Sequence, residues 1–275
     1  MAKTPDRIDS RENRWLKRFR GALQARPEKD GAPLGVEGPR LVGEALRSGL
    51  TTEALLISDS GERQLTRLRD TLHPKIRILR TSDRLFATVA GTETPQGVAA
   101  LIEPPHWRPA DLFGAAALVV VLAGVQDPGN MGTIIRAAEA FGASGVIACT
   151  GSAHPFGPKA VRASAGSVFR LPTLAGSQPA DVLDELRGRG LRQFAAVTTE
   201  GPAPPGTDLT QPCALWIGSE GCGLPEEVQR AADATIRIPL RDTVDSLNAA
   251  SAATVLLYEA ARQRGRMGRL PESTP

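Results

Sequence analysis

The sequence predicts an α/β protein in which a small α/β domain precedes a larger one built on a mostly parallel sheet. Two observations indicate this fold class. Short apolar runs typical of strands alternate with segments of helical periodicity along most of the 275 residues. Beyond residue 113 these runs are continuously apolar, which is typical of parallel strands that helices cover on both faces.

The predicted first domain, residues 1–103, opens with a basic amphipathic helix. Leu16, Phe19 and Leu23 follow Trp15 at helical spacing, and basic residues lie between them. Those basic residues are Arg11, Arg14, Lys17 and Arg18. After a polar break, helices at PRLVGEALRSG, ERQLTRLRDTL and SDRLFATVAG alternate with strands at EALLIS, KIRILR and QGVAALIE.

A proline-rich segment at residues 104–113, PPHWRPADLF, predicts a linker to the second domain, residues 114–266. In that domain we expect strands at ALVVVLAGV, GVIACT, QFAAVTT, CALWIGS and ATIRIPL. Helices are expected at 133–141, 158–167, 179–189, 225–232 and 246–264. Residues 267–275 are expected to form a loose tail.

Composition favours a globular protein of the cytoplasm. The 41% hydrophobic content supports packed cores, and the formal net charge of +3 is compatible with a polyanionic partner without requiring one. The three cysteines form no CxxC pair, which is typical of a reducing compartment. The longest apolar run, AAALVVVLAGV, is too short to span a bilayer, so no membrane role is expected.

Several enzyme classes lack their motifs here. The sequence contains no GxxxxGK[ST] P-loop, no GxSxG nucleophile elbow and no correctly spaced GxGxxG after a first strand. His73, His106 and His154 are scattered without metal-ligand spacing, so we expect no metal site. Nucleotide hydrolysis, serine hydrolysis and nicotinamide chemistry are therefore disfavoured.

Three unusual loops follow strands of the second domain: QDPGNMG, GSEGCGLP and IPLRDTVDSLN. Ligands of open α/β sheets usually bind at such strand ends. Turn geometry alone explains a single glycine, but Gly218, Gly221 and Gly223 around Glu220 favour a site that a ligand approaches closely. Asn130, in the first loop, is alternatively a turn or cap residue.

Arg136 lies in the first turn of the predicted helix 133–141, where the helix dipole disfavours a cation. An ion pair with Glu139 is the ordinary explanation for such a residue. The other explanation is that the charge of Arg136 serves the function of the protein.

The three loops resemble the motifs of the SpoU, or TrmH-like, RNA 2′-O-ribose methyltransferases of the SPOUT superfamily. PGNMGTIIRAAEAFGASG matches the first motif, N-x-G-x-x-x-R, through Asn130, Gly132 and Arg136. IGSEGCGLP resembles the second motif and IPLRDTVDSLNAASAATVLLYE the third, in the family's order. Asp242 is a departure, because the family often has a glycine there. GVEGPRLVGEALRSG in the first domain resembles an L30e-like substrate-binding module.

The resemblance implies a SPOUT-type, mostly parallel sheet whose C-terminal segment forms a trefoil knot, preceded by an L30e-like RNA-binding domain. It also implies S-adenosylmethionine as the cofactor. The implied cofactor-binding residues are Thr198, Gly218, Gly223, Ile238 and Leu247. Apolar side chains at two of these positions suit the walls of an adenine pocket.

The resemblance also implies a catalytic set. Its members are Arg136, Asn130, Glu220, Ser246 and Asn248. A guanidinium stays protonated, so we expect Arg136 to bind a phosphate and stabilise charge on the acceptor oxygen rather than to act as a base. Asn130 is expected to position the ribose or phosphate. For Glu220, Ser246 and Asn248, hydrogen bonds that only hold the loops are the alternative role.

RNA is the implied partner. Lys159 and Arg162, within FGPKAVRASAGSVFRLP, are expected to contact phosphate, with a solvated helix face as the alternative. The same two interpretations apply to Arg14, Lys17 and Arg18 of the basic helix.

The preferred substrate is 23S ribosomal RNA, and family resemblance implies a homodimer. Two other functions stay open: a tRNA 2′-O-methyltransferase, and a non-catalytic RNA-binding or ribosome-assembly protein on the same fold. The intact motif residues Asn130, Arg136, Glu220 and Asn248 argue against the non-catalytic alternative.

Overall fold

The computed structural model describes residues 6–24 and 32–265. The chain divides into two compact units, one formed by Met1–His106 with Phe156–Arg170 and the other by Trp107–Pro155 with Leu171–Pro275. The predicted tail, 267–275, lies outside the described residues. Within the described ranges, no helix is both long and apolar enough to cross a membrane.

The first unit is an α/β layer on a five-stranded mixed sheet. Its strands are β1 (Asp6–Ile8), β2 (Leu34–Glu37), β3 (Thr52–Ser58), β4 (Arg77–Thr81) and β5 (Val98–Ile102). Their order is β1-β4-β3-β5-β2, with β5 antiparallel to both of its neighbours and the remaining pairs parallel. The α-helices before residue 106 are α1 (Arg14–Gln24), α2 (Pro39–Arg47), α3 (Glu62–Leu68) and α4 (Asp83–Ala87).

Helix α1 is the predicted basic amphipathic helix. Leu16, Phe19 and Leu23 are buried in the core of the unit with residues of β3, β4 and β5. The helix begins where the Asn13 side chain accepts a hydrogen bond from the Trp15 amide at 2.9 Å, which satisfies one of the otherwise unpaired amides of the first turn. The apolar stripe therefore builds the core and leaves the basic residues facing outward.

The second unit carries a six-stranded, wholly parallel sheet. Its strands are β6 (Leu118–Ala123), β7 (Gly145–Cys149), β8 (Thr173–Ser177), β9 (Arg192–Val197), β10 (Cys213–Gly218) and β11 (Ala234–Arg237). The order across the sheet is β11-β9-β10-β6-β7-β8. The helices of the second half of the chain are α5 (Pro128–Ala140), α6 (Pro158–Ala163), α7 (Pro179–Gly188), α8 (Glu226–Ala231) and α9 (Ala249–Gln263). The mostly parallel α/β fold is as predicted.

Three interior strands of this sheet, β6, β7 and β10, are buried along all or nearly all of their length, as their continuous apolar sequences predict. All residues of β6 and β7 are buried, as are all of β10 except Gly218. Trp216 is fully buried, and its indole donates to Gln193 Oε1 at 3.0 Å, which satisfies its polar atom within the core. Strand β8 was not predicted, because it is a half-exposed edge strand that contains a glycine.

Residues 156–170 depart from the predicted domain boundaries. Sequence order assigns them to the second domain, but they cluster with the first unit. Helix α6 packs against β2 and α1, and Arg170 pairs with Glu44 of α2 at 2.7 Å. Buried Val161 and the buried turn that follows the helix make this segment a part of the first unit's structure.

Helix α5 begins at Pro128, five residues before the predicted start at residue 133. Asp127 caps it, since its carboxylate accepts from the Asn130 amide at 3.2 Å, and Pro128 occupies the first helical position. The two glycines and the asparagine that follow look like a loop in sequence but lie within the first helical turns. The placement of Arg136 in the first turn was therefore wrong: it lies in the third turn, away from the dipole's positive end.

Candidate active site

Asn130, Glu220 and Asn248, which lie far apart in sequence, form one hydrogen-bonded group. Asn130 Nδ2 donates to Glu220 Oε1. Asn248 Nδ2 donates to the same carboxylate oxygen at 2.8 Å and to Asn130 Oδ1 at 3.1 Å. One carboxylate thus joins the start of α5, the loop after β10 and the start of α9, which the three motifs supply. These hydrogen bonds are the contacts that the alternative, loop-holding role of Glu220 and Asn248 requires.

Asn248 has a second function as the cap of α9. Its Oδ1 accepts from the backbone amides of Ala250 at 2.9 Å and Ser251 at 3.2 Å. The side chain therefore uses its oxygen to begin the helix and its nitrogen to hold the other two motifs. Loss of this amide removes both interactions at once.

A cavity of about 480 Å³ adjoins this group. Its walls come from the ends of β9, β10 and β11 and from the loops that follow them. All five residues expected to bind cofactor line it, as do two of the expected catalytic residues. These are Thr198, Gly218, Gly223, Ile238 and Leu247, together with Glu220 and Ser246.

The loop after β10 folds back on itself at the edge of the cavity. Ser219 and Gly223 pair in both directions, with N–H to O distances of 3.0 and 2.9 Å. A side chain at Gly218 would bring a Cβ within 2.2 Å of the Gly223 carbonyl carbon, and Gly223 has a φ of +68°. Both positions therefore require glycine, one for close approach and the other for its backbone conformation.

The loop after β11 forms the opposite side of the cavity. The Val244 amide donates to the Arg241 carbonyl at 2.9 Å, which closes a turn over residues 241–244. Asp242, at the position where the family often has glycine, does not adopt a positive φ, since Ala165 is the one non-glycine residue with that conformation in the described ranges. The aspartate is therefore accommodated without left-handed backbone strain.

Arg136 is exposed on α5, and it is not among the residues that line the cavity. Within the described part of the chain its side chain makes no hydrogen bond or ion pair, so the ion pair with Glu139 does not form. Buried Ile134 and Ile135 fix the helix beside it. The guanidinium is consequently free to meet an anionic ligand.

The five basic residues expected to bind RNA all lie in the first unit, on α1 and α6. On α1, Lys17 pairs with Glu12 at 2.6 Å and Arg18 pairs with Glu53 through both guanidinium nitrogens. Arg14 is exposed, and its guanidinium carbon lies 5.7 Å from the centre of the Trp15 ring. On α6, both Arg162 and Lys159 are exposed. None of the five lies at the cavity.

Sequence reasoning missed some cavity residues. Val197, Leu224 and Leu240 supply further apolar wall, while Arg241 and Asp245 add charge. These residues could have been found because they lie next to motif residues in the sequence. Residues next to a loop motif line the same cavity. The capping role of Asp127 was also missed, although Asp-Pro before a helix is a recognised start pattern.

Comparison with known proteins settles the family. The model of the SpoU rRNA methylase family matches residues 117–258, the segment that carries all three loops. This chain belongs to the SpoU rRNA methylase family. A second model, the MRM3-like substrate binding domain, matches residues 24–100.

Full-length relatives of this SpoU protein include enzymes named as ribosomal RNA methyltransferases. The 23S rRNA (guanosine(2553)-2′-O)-methyltransferase RlmP of Bacillus subtilis is 31% identical, over 91% of this chain and 97% of its own. A 23S rRNA (uridine(2479)-2′-O)-methyltransferase of Streptomyces viridochromogenes is 35% identical, with 86% and 85% covered.

Solved structures agree with this family membership. The SpoU methyltransferase AviRb from Streptomyces viridochromogenes, in complex with AdoMet, superposes with a TM-score of 0.83 at 31% identity, covering 94% of this chain and all of that one. An rRNA methyltransferase from Sinorhizobium meliloti gives 0.81 at 30% identity, covering 94% and 97%. The similarity spans both units of the fold.

Proposed function

We propose that this SpoU protein transfers a methyl group from S-adenosylmethionine to a ribose 2′-hydroxyl of 23S ribosomal RNA. The observation that carries the proposal is the hydrogen-bonded group Asn130, Glu220 and Asn248 beside a cavity lined by all the expected cofactor residues. Two relatives aligned over most of the chain are named as 23S rRNA 2′-O-methyltransferases, which supports the substrate class.

The cavity fits the cofactor in size, polarity and charge. Its volume of about 480 Å³ lies within the ordinary range of small-molecule sites. Ile238 and Leu247 supply apolar wall for an adenine ring, while backbone groups of the loop after β10 offer hydrogen bonds to its edge. The charged side chains around the cavity are three carboxylates and two guanidinium groups: Glu220, Asp242, Asp245, Arg237 and Arg241. This excess of negative charge complements a ligand with a net positive charge.

When bound, the cofactor supplies an activated methyl group for in-line displacement by the ribose oxygen. Arg136 stabilises the negative charge that develops on that oxygen and binds the neighbouring phosphate, because its guanidinium stays protonated and cannot take the proton. A phosphate oxygen or a water molecule takes the proton instead.

Asn130, Glu220, Asn248 and Ser246 act around the reacting groups. Glu220 holds both asparagines, which leaves the second hydrogen of Asn130 Nδ2 to orient the ribose or phosphate. Ser246 lines the cavity and is exposed, so its hydroxyl can meet either the cofactor or the acceptor nucleotide. Positioning both reactants in this way lowers the entropic part of the barrier.

The first unit is the proposed RNA-binding unit. It includes the whole segment that matches an MRM3-like substrate binding domain, residues 24–100, and exposed Arg14 and Arg162 can contact phosphates. Lys159, Lys17 and Arg18 are proposed contacts of the same kind. We retain the predicted boundaries at 103 and 114 but add residues 156–170 to the RNA-binding unit, because these residues pack there.

A homodimer and a cytoplasmic location complete the proposal. Val255 and Tyr258 on α9 are large apolar side chains with exposed fractions of 40% and 44%, and Tyr258 contacts Phe141 just beyond α5 edge-on. Burial of this face against a second copy would remove apolar surface from water. Ribosomal RNA as the substrate and unpaired Cys149, Cys213 and Cys222 support the cytoplasm.

Transfer of labelled methyl from S-adenosylmethionine to RNA tests the function. Purified protein is incubated with 23S rRNA and, separately, tRNA from a strain that lacks the corresponding gene, and 2′-O-methyl positions are mapped. We expect label in 23S rRNA at a ribose that is unmethylated in that strain and methylated in its parent. Label only in tRNA would favour the tRNA enzyme. Cofactor binding without transfer to either RNA would favour the non-catalytic RNA-binding protein.

A further inference from the structure

The turn at residues 241–244 presents opposite charges at the edge of the cavity. Arg241 and Asp242 are consecutive, both line the cavity and both are exposed. The hydrogen bond from the Val244 amide to the Arg241 carbonyl fixes the backbone that carries them. Val244 also lines the cavity and is 48% exposed, which is unusual for a valine and leaves apolar surface beside the two charges.

Neither charge on this turn has a partner in the described part of the chain. No hydrogen bond or ion pair joins the side chain of Arg241 or of Asp242 to another described residue, and the two side chains do not pair with each other. Glu220, another carboxylate that lines the cavity, is by contrast held by two asparagines. The turn therefore offers one free cation and one free anion to whatever enters the cavity.

We propose that the Arg241–Asp242 turn recognises the α-amino-acid end of the cofactor. The guanidinium of Arg241 donates to the α-carboxylate, the carboxylate of Asp242 accepts from the α-ammonium, and Val244 contacts the aliphatic chain between that end and the sulfur. Adjacent opposite charges match a zwitterion, and hydrogen bonds between charged groups are the stronger kind. The inference rests on the proposed cofactor.

An RNA phosphate is the competing ligand for Arg241, and the local charge disfavours it. Asp242 lies in the turn, Asp245 follows it directly, and Glu220 lines the same cavity. Carboxylates this close to the guanidinium repel a phosphodiester, whereas one of them is needed to bind an ammonium. A zwitterion satisfies both signs of charge.

Two neutral thioethers that differ only at the amino-acid end test the proposal. S-adenosylhomocysteine carries the zwitterion, and 5′-methylthioadenosine has a methyl group on sulfur in place of the whole 3-amino-3-carboxypropyl chain. Calorimetry on the full chain gives the Kd of each ligand for wild type, Arg241→Gln and Asp242→Asn. We expect each variant to weaken S-adenosylhomocysteine about tenfold, the scale of one charge-assisted hydrogen bond, and to leave 5′-methylthioadenosine within about twofold.

Matched substitutions away from the cavity serve as controls. Arg63→Gln and Asp181→Asn neutralise exposed residues of the same types and should change neither Kd. Equal weakening of both thioethers, or no weakening of S-adenosylhomocysteine, would overturn the assignment. Loss of RNA affinity in Arg241→Gln with an unchanged S-adenosylhomocysteine Kd would overturn the assignment and indicate that Arg241 binds RNA. If wild type binds neither thioether nor S-adenosylmethionine, the proposed cofactor itself fails, which is a distinct result.

Discussion

Arg136 shows how one residue's interpretation depends on where its helix begins. Because α5 starts at Pro128, Arg136 lies past the region where the helix dipole acts, and its position costs no dipole energy. Its exposure and its lack of a partner among the described residues are what distinguish it. An unpaired guanidinium on a helix fixed by buried neighbours is preorganised for an anion.

Arg136→Ala should abolish methyl transfer while leaving cofactor binding intact. Removal of a charge that stabilises a developing oxyanion costs roughly 100-fold or more in turnover, whereas the cavity does not include this side chain. Single-turnover transfer and calorimetry with S-adenosylhomocysteine measure the two effects. Arg230→Ala, on the exposed face of α8, is the control. Unchanged turnover in Arg136→Ala would remove it from the mechanism.

The elements of the second unit meet at the carboxyl ends of its parallel strands, and α9 is tied to this edge at its first residue. Asn248 begins the helix with its oxygen and holds Glu220 with its nitrogen. The same side chain therefore caps α9 and holds the start of this helix against the loop after β10.

Two substitutions separate these roles of Asn248. Asn248→Ala loses both, and we expect the free energy of unfolding to fall by about 1–2 kcal/mol, the scale of a lost cap with a smaller addition from a solvent-exposed hydrogen bond to Glu220. Asn248→Asp keeps a capping oxygen but turns a second carboxylate toward Glu220. It should retain more stability than Asn248→Ala yet lose as much turnover. Urea unfolding and transfer assays measure these effects, and equal stability loss in both variants would contradict the division.

Strand β7 carries a pH dependence of its own. Burial raises the pKa of the Cys149 thiol from 9.0 to about 12, because the thiolate is poorly solvated in the core. Above pH 9 the unfolded chain loses this proton before the folded chain does, so the free energy of unfolding decreases as pH rises toward 12. Below pH 9 this contribution is fully present.

Urea unfolding between pH 8 and pH 10.5 checks the effect of Cys149. Cys149→Ala should flatten the alkaline fall in stability by as much as about 1.4 kcal/mol per pH unit, whatever its effect at neutral pH. Cys222→Ala is the matched control, since that thiol is exposed. An unchanged slope in Cys149→Ala would place the alkaline sensitivity elsewhere. Cys213, whose pKa is also raised by burial, is the next residue to test.

At the scale of the whole molecule, the chain passes from one unit to the other more than once. It leaves the second unit at Pro155, completes the first with residues 156–170 and returns at Leu171. The proposed RNA-binding unit thus includes a segment from the middle of the family's methylase region. The proposed RNA-contacting and methyl-transferring groups are consequently linked by three chain connections, at 106–107, 155–156 and 170–171, rather than by one linker.

The assembly prediction concerns the exposed apolar face of α9. Light scattering after gel filtration should give twice the mass of one chain for wild type, and the mass of one chain for Val255→Glu with Tyr258→Glu, because buried charge opposes association. Tyr258→Phe keeps the edge contact with Phe141 and should remain dimeric. A monomeric wild type would refute the homodimer.

Much of the fold was predictable because it follows from local patterns. Continuous apolar runs gave the central strands, and the spacing of Leu16, Phe19 and Leu23 gave α1. The missed strands β1, β2 and β8 are three to five residues long and lack a pattern of their own, so only their neighbours make them strands. The start of α5 was misplaced because glycine and asparagine disfavour a helix locally, while the Asp127 cap and buried packing stabilise it.

The sequence by itself determined the fold class and the family and predicted seven of the residues that line the cavity, because residue types at fixed spacings carry that information. Only the tertiary structure showed that Glu220 joins Asn130 to Asn248, that Arg241 and Asp242 face the cavity unpaired, and that residues 156–170 belong to the first unit. Those facts depend on contacts between segments tens of residues apart. Such contacts form when apolar faces pack together, and no local spacing records them.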